Sequence, residues 1–221
     1  HILTLEDPIE YMHDHKKSIV AQREIGTDTD SFMTGMKAAL REAPDVILMG
    51  EIRDLETMEF AMKFSNTGHL TLSTLHANNS ITTMERIFGF FPKEGIEAQA
   101  KRVSQNLRAI ICQRLVPGKD GGKVAAIEIL INTGYIADLI SKMELANIKD
   151  AIERGANYGM QSFDQHLVKL YNEGRITAET AIDFADSSSN VKIQIKTGDA
   201  GKKLSESTSN DWGSGLSLAP T

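Results

Sequence analysis

Ala43-Pro44-Asp45-Val46-Ile47-Leu48-Met49-Gly50-Glu51 is the stretch of the chain that decides the fold. Its apolar run from Val46 to Met49 includes two β-branched side chains and predicts a strand covered on both faces, as in a parallel sheet. Glu51 follows at the carboxyl end of that strand. Ligands of open α/β sheets bind at this edge, where a carboxylate can orient or deprotonate a water that attacks a phosphate. The same pattern is also typical of an ordinary strand and its exit turn.

Two other predicted strands end in polar side chains. Residues 1–10 begin as an apolar strand and finish in carboxylates after a proline stops the ladder. Residues 67–76 form a β-branched and apolar run that lies between two histidines. If the sheet is parallel and the connections are crossovers, Glu10, Glu51 and His76 converge on one edge of it.

The two histidines of the third strand raise the question of a metal site. His69 and His76 are seven positions apart, which in an extended strand separates them by roughly 20 Å. They therefore cannot share one zinc ion, and the single cysteine, Cys112, offers no cluster of thiolates. For each histidine, a structural imidazole that ties a loop to a strand remains an alternative to a functional one.

Composition limits the class of protein. With 24 Lys and Arg against 30 Asp and Glu, the net charge is −6, which argues against a nonspecific surface for nucleic acid or anionic membrane. No run approaches the length of about 18 apolar residues that a membrane span needs. A single cysteine excludes an intrachain disulfide framework and fits a reducing compartment.

Apolar periodicity predicts alternating strands and helices in the first part of the chain and short helices in the rest. Strands are predicted at residues 2–5, 19–22, 46–49 and 67–76, followed by a strand pair at 111–116 and 124–131. Helices are predicted at residues 32–40, with Asp30 as cap, and at 55–65, 81–88, 98–110, 136–140, 145–152, 163–171 and 178–184. A brief strand is predicted at 191–195. We therefore expect an α/β core over 1–131, a helical domain over 132–185 and a mostly disordered tail over 186–221.

Three motifs in order resemble those of the secretion and pilus ATPases. Glu6-Asp7-Pro8-Ile9-Glu10, with Gln22-Arg23-Glu24, is similar to their aspartate box. The stretch from Ala39 to Asp54 is similar to their Walker B segment, and Thr67 to His76 to their histidine box. The resemblance is closest to the PilT/PilU retraction ATPases of type IV pili. It implies a RecA-like P-loop NTPase core.

The resemblance also implies roles for particular residues. Glu51 matches the catalytic glutamate that activates or orients the hydrolytic water, and Glu10 matches the aspartate-box glutamate that helps to organise Mg²⁺ and water. His76 would sense or contact the terminal phosphate of ATP, with His69 supporting that box. Arginines in or beside the motifs are candidates for a contact with the nucleotide, including one across a subunit boundary, or for ordinary ion pairs: Arg23, Arg41, Arg53 and Arg86.

The chain departs from the family pattern in two places. No Gly-x-x-x-x-Gly-Lys-Ser/Thr segment occurs in it, so the P-loop that cradles the phosphates is absent. We therefore expect the P-loop and an amino-terminal domain to precede His1, and the chain alone to be inactive. Residues 135–142 keep only the apolar positions of the motif Ala-Ile-Arg-Asn-Leu-Ile-Arg-Glu, which favours the PilU-like accessory paralogue.

The resemblance sets the functional expectation. It implies a cytoplasmic ATP-hydrolysing motor subunit, peripheral to the inner membrane at the pilus base, that powers pilus retraction and twitching motility. Its partners would be copies of itself in a hexamer or a paralogous retraction ATPase, together with the inner-membrane platform protein, and no nucleic acid. The alternatives are a catalytically idle or accessory nucleotide-binding subunit, and a type II secretion or pilus-extension ATPase. The second is disfavoured because that branch usually carries four zinc-binding cysteines.

Overall fold

The computed structural model describes residues 1–198, which alternate between strands and helices. The strands are β1 Ile2–Glu6, β2 Val20–Glu24, β3 Val46–Glu51, β4 Leu70–Thr74, β5 Ala109–Pro117 and β6 Lys123–Ile131. The helices are α1 Phe32–Ala39, α2 Leu55–Asn66, α3 Ser80–Gly89, α4 Ile96–Asn106, α5 Gly134–Ser141, α6 Ile148–Arg154, α7 Phe163–Asn172 and α8 Ala178–Asp183, followed by α9 over 188–198. This arrangement confirms the predicted α/β class.

The central sheet has the strand order β2-β1-β3-β4, and all its strands are parallel. Its two inner strands hold the core, because Leu3, Leu5, Ile47 and Met49 are fully buried. Ile47 and Met49 lie on one face of β3, and Val46 and Leu48 on its other face are only partly buried, so the predicted cover of both faces is complete on one face only. The carboxyl ends of β1, β3 and β4 therefore lie at one edge of the sheet.

Side-chain caps fix where the first two helices begin. Ser31, and not the predicted Asp30, accepts a hydrogen bond from the backbone N–H of Thr34 and starts α1. Asp54 starts α2 through a capping box, in which Asp54 and Thr57 each bond the other's backbone N–H. These caps place the starts of both helices close to the end of β3.

The helix predicted over 98–110 is shorter at its end than expected. α4 stops at Asn106 because Leu107 is extended, and the chain then enters β5 at Ala109. Ala109 and Ile110 belong to a strand in which buried and exposed side chains alternate. Periodicity alone had assigned these two residues to the helix. β5 and β6 form the predicted two-stranded sheet.

The chain divides into two compact units. One consists of residues 1–112 and 129–159, and the other of residues 113–128 and the chain from Met160 onward. This division differs from the predicted boundary after residue 131, because α5 packs on α4 within the first unit. The boundary of an independent helical domain stays a prediction.

The brief strand predicted at 191–195 is wrong, because these residues belong to α9. Val191 and Ile195, four positions apart, are buried, whereas Ile193 is 62% exposed. The buried side chains follow the spacing of a helix, since in a strand all three would lie on the same face. Residues 188–198 are thus helical where a disordered tail was expected, and the remainder of that prediction, 199–221, lies outside the described residues. No helix between residues 1 and 198 is both long and apolar enough to cross a membrane.

Candidate functional site

A bulge at the end of β3 determines where Glu51 lies. Met49 pairs with Ser73 and Glu51 with Thr74, so Gly50 is an extra residue on β3. In an unbroken strand, Glu51 would share the buried face of Met49, since side chains alternate, and the bulge breaks that alternation. Gly50 also lies against β1, where a Cβ atom would come within 3.3 Å of the carbonyl oxygen of Leu5.

Both carboxylate oxygens of Glu51 have a partner. Arg53 donates from Nη2 to Oε1 in a short ion pair, and His76 Nε2 lies 3.1 Å from Oε2. Arg53 also reaches toward the loop after β1, where its Nη1 lies 3.8 Å from a carboxylate oxygen of Asp7. Three strand ends thus contribute to one charged cluster, which we call the Glu51 cluster: Asp7, Glu51, Arg53 and His76.

The electrostatics of the Glu51 cluster favour an ionised carboxylate. The hydrogen bond from Arg53 has the largest effect on the pKa of Glu51 and lowers it. Burial opposes this effect, and the charges of Arg53 and His76 each lower the pKa by smaller amounts. The pKa of Arg53 is raised by the same contact. Glu51 is therefore a hydrogen-bond acceptor at neutral pH. It is suited to orienting a water molecule and is a weak proton acceptor until Arg53 moves away.

A cavity of about 220 Å³ opens beside Glu51. Its walls come from the end of β3 and the starts of α1 and α2, and they include Ser31, Phe32, Glu51, Arg53 and Thr57. Small polar ligands commonly bind where helix starts meet the carboxyl edge of a parallel sheet.

Glu10 lies in the loop after β1 and is exposed to solvent. Within residues 1–198 its side chain makes no hydrogen bond or ion pair, so the expected convergence joins Glu51 with His76 and leaves Glu10 without a contact to either. Glu6, on the same strand end, instead accepts hydrogen bonds from Thr4 and Gln22. No group of three or more potential metal ligands occurs in the described part of the chain.

His69 lies at the amino end of β4, opposite to His76. Its Nδ1 is 2.9 Å from the Thr67 hydroxyl and 3.3 Å from the Phe64 carbonyl oxygen. Its ring also stands edge-on to Phe64 at 5.7 Å between centroids. These contacts tie the end of α2 to the start of β4, which is the structural alternative left open for each histidine.

The other candidate arginines lie away from the Glu51 cluster. Arg23 forms an ion pair with Glu42 at 2.8 Å. Arg41 and Arg86 are exposed, and neither side chain has a hydrogen bond or ion pair within residues 1–198. Their predicted contacts with nucleotide remain predictions.

Sequence reasoning missed the pairing of Arg53 with Glu51 and the place of Asp7 beside them. The pairing of Arg53 with Glu51 could have been recognised from the sequence, because an arginine two positions after an acidic residue at a strand end can fold back and pair with it. Asp7 gave a weaker signal, since it is one of three acidic residues at or after the end of β1, and the sequence does not specify the course of the loop that follows.

The structure thus defines an α/β protein with a parallel sheet that ends in a paired glutamate and histidine beside a cavity. The chain belongs to the family described as Type II/IV secretion system protein, whose model matches residues 1–209.

Three relatives illustrate the match. The type IV pilus ATPase PilU of Pseudomonas aeruginosa is 50% identical over 199 residues, covering 90% of this chain and 52% of that protein. The type IV pilus retraction ATPase PilT of the same organism is 43% identical over 185 residues, covering 84% and 54%. A crystal structure of the pilus retraction motor PilT with bound ADP superimposes with a TM-score of 0.77 at 46% identity, covering 85% and 53%. The chain spans about half the length of these relatives.

Proposed function

We propose that the full-length protein is an ATP-hydrolysing motor subunit that powers type IV pilus retraction and twitching motility. The observation that carries this proposal is the contact of Glu51 with His76 at the carboxyl edge of the sheet, in a chain that is 50% identical to a type IV pilus ATPase. Bound ATP would supply the β,γ-phosphate bond that hydrolysis breaks.

The residues of this chain would act on the attacking water. Glu51 accepts a hydrogen bond from that water and orients it for in-line attack, and it takes up the proton of the water as the oxygen–phosphorus bond forms, once Arg53 has moved off the carboxylate. His76, exposed on the same edge, would contact the terminal phosphate. Glu10 would help to hold Mg²⁺ through water, which suits a hard cation that keeps part of its hydration shell. Glu51 and His76 would face the nucleotide from the carboxyl edge of the sheet, and this sequence contains no P-loop to cradle its phosphates.

Several further features of the proposal concern the whole protein. We propose a hexamer, of one kind of subunit or mixed with a paralogous retraction ATPase, that acts on the platform protein at the cytoplasmic face of the inner membrane. The chain of 221 residues alone is expected to be inactive, because it contains no P-loop lysine or glycines. Arg41 and Arg86, which have no partner within residues 1–198, are candidates for contacts with a neighbouring subunit or its nucleotide.

The second candidate function is an idle or accessory subunit, which the altered segment from Tyr135 to Lys142 favours. Complementation separates the two. In cells that lack the gene, the wild-type protein should restore twitching, and a Glu51→Gln variant expressed at the same level should not. A Glu94→Gln variant, altered at an exposed loop position, is the matched control and should restore it. Restoration by Glu51→Gln would overturn the motor proposal in favour of an accessory role that does not require hydrolysis.

A further inference from the structure

The loop that carries Glu10 is long and exposed. It occupies residues 7–19, between the end of β1 and the start of the neighbouring parallel strand β2, and contains no helix or strand. Loops of this length without regular structure are uncommon in compact proteins and are usually functional. Since the Glu10 side chain makes no hydrogen bond or ion pair within residues 1–198, the position of its carboxylate depends on the backbone on either side of it.

One side chain of β2 holds the loop after Glu10. The Gln22 amide donates from Nε2 to the Tyr11 carbonyl oxygen at 2.9 Å and accepts at Oε1 from the His13 N–H at 2.7 Å. The same Nε2 donates to Glu6 Oε1 at 3.1 Å. Since the Glu6 carboxylate only accepts and the His13 N–H only donates, these partners determine which end of the amide faces which way.

A second side chain of β2 holds the loop before Glu10. Glu24 Oε2 accepts from the Ile9 N–H at 3.1 Å, while its other oxygen accepts from the Thr27 hydroxyl at 3.1 Å. Gln22 and Glu24 are two positions apart on one strand and therefore point to the same face. They form hydrogen bonds with the backbone of Ile9 and Tyr11, the residues on either side of Glu10.

Strand β1 contributes two further side chains, Thr4 and Glu6, to this arrangement. Thr4 and Glu6 are in register with Gln22 and Glu24, respectively, and the Thr4 hydroxyl donates to Glu6 Oε1 at 2.6 Å. The result is a polar ladder across two strands at the carboxyl edge of the sheet. Several hydrogen bonds act on the loop together, so the ladder as a whole restricts a segment that is mostly exposed to solvent.

We propose that Gln22 and Glu24 are positioning residues that hold Glu10 in place at the carboxyl edge of the sheet. The inference rests on the proposed function of Glu10 and concerns how the fold supports it. An anchor that only stabilises the loop would act independently of Glu10. A positioning residue has its effect through Glu10, and the two cases differ in how substitutions combine.

The test is a double-mutant cycle on the full-length protein, with kcat and KM for ATP measured for Gln22→Ala, Glu10→Gln and both together. We expect Gln22→Ala to lower kcat by about tenfold with KM changed less than about twofold, and to have no further effect in the Glu10→Gln background. Glu24→Ala should behave in the same way. Lys17→Ala, an exposed substitution in the same loop, is the control and should leave kcat unchanged.

Two outcomes would overturn different claims. If Glu10→Gln leaves kcat unchanged, the proposed role of Glu10 fails. The inference itself fails in two cases, provided that Glu10→Gln lowers kcat. In the first, Gln22→Ala has no effect on kcat. In the second, Gln22→Ala lowers kcat by the same factor in the wild type and in Glu10→Gln, so that Gln22 does not act through Glu10.

A second readout does not depend on activity. Hydrogen exchange on the full-length protein should show protection of the His13 and Ile9 amides that Gln22→Ala and Glu24→Ala remove, respectively. Gln22→Glu, which keeps an acceptor for the His13 N–H and loses both donated bonds, should retain His13 protection and still lower kcat. Loss of protection throughout the sheet in each variant would show a general structural role and contradict the inference.

Discussion

At the scale of single residues, Arg53 controls the protonation of Glu51. Its guanidinium holds the pKa of Glu51 below the usual range, so the folded protein binds this proton more weakly than the unfolded chain does. The ion pair therefore contributes stability above the ordinary pKa of a glutamate, and that contribution is lost as the pH falls through the lowered pKa. Both groups are solvent-accessible, so we expect the effect on titration to exceed the effect on stability.

An Arg53→Gln variant tests this control directly. Removing the guanidinium should raise the pKa of the Glu51 carboxyl toward its ordinary value, because the largest cause of the lowering is lost. The measurement is an NMR titration of the Glu51 carboxyl carbon. Arg41→Gln, which removes an exposed arginine without a contact to Glu51, is the control and should leave the midpoint in place. An unchanged midpoint in Arg53→Gln would show that the ion pair does not persist in solution.

His69 and His76 flank β4, and their substitution by alanine should affect different properties, stability for His69 and ATP turnover for His76. The His76 side chain is 84% exposed, so His76→Ala should leave the free energy of unfolding within about 0.5 kcal/mol and lower ATP turnover of the full-length protein. His69→Ala removes contacts to Thr67 and Phe64 and should cost about 1 kcal/mol. Denaturant unfolding and steady-state hydrolysis measure both. A destabilised His76→Ala with normal turnover would favour the structural alternative for His76.

At the scale of elements, the buried carboxylate of Asp164 connects α7 to the start of α9. It is 4% exposed and accepts hydrogen bonds from the N–H groups of Asp186 and Ser187, at 2.7 and 3.0 Å. Arg114 supports the same turn through an ion pair with Asp186 at 2.7 Å, and its guanidinium stacks on the Phe163 ring at 3.9 Å. These contacts explain why a segment of polar composition forms an ordered helix.

An Asp164→Ala substitution should release α9. It leaves the partly buried N–H groups of Asp186 and Ser187 without their acceptor, at a cost of about 1 kcal/mol for each lost hydrogen bond. Hydrogen exchange should show lost protection over residues 188–198, while β1 and β3 stay protected. Asp183→Ala, at an exposed position at the end of α8, should leave the exchange unchanged. Full protection of α9 in Asp164→Ala would mean that Val191 and Ile195 suffice to hold it.

Most elements were predictable from the sequence because their side chains are used as local periodicity suggests. β3 forms where its apolar run predicts a strand, and α2 forms where its apolar spacing predicts a helix. The errors occurred where one pattern fits two structures. Val191, Ile193 and Ile195 alternate like a strand, yet the first and last are also one helical turn apart, and only packing against other elements selects the helix.

At the scale of the whole molecule, the parallel sheet explains why part of the site was predictable. Strand ends and their order bring Glu51 and His76 to one edge, and these follow from apolar runs and crossover rules. The ladder of Gln22 and Glu24 could not be predicted in this way, because it depends on the register of β1 with β2 and on the course of a long loop. The partners of Glu51 depend likewise on the bulge at Gly50.

The measurement that tests the central claim most directly is ATP hydrolysis by the full-length protein, wild type against Glu51→Gln, with nucleotide affinity measured on the same samples. We expect kcat to fall by about 100-fold or more while the Kd for ATP changes little, because Glu51 would act on the water and not on binding. Equal turnover in the two proteins would contradict the account, since the end of β3 would then be only a strand and its exit turn.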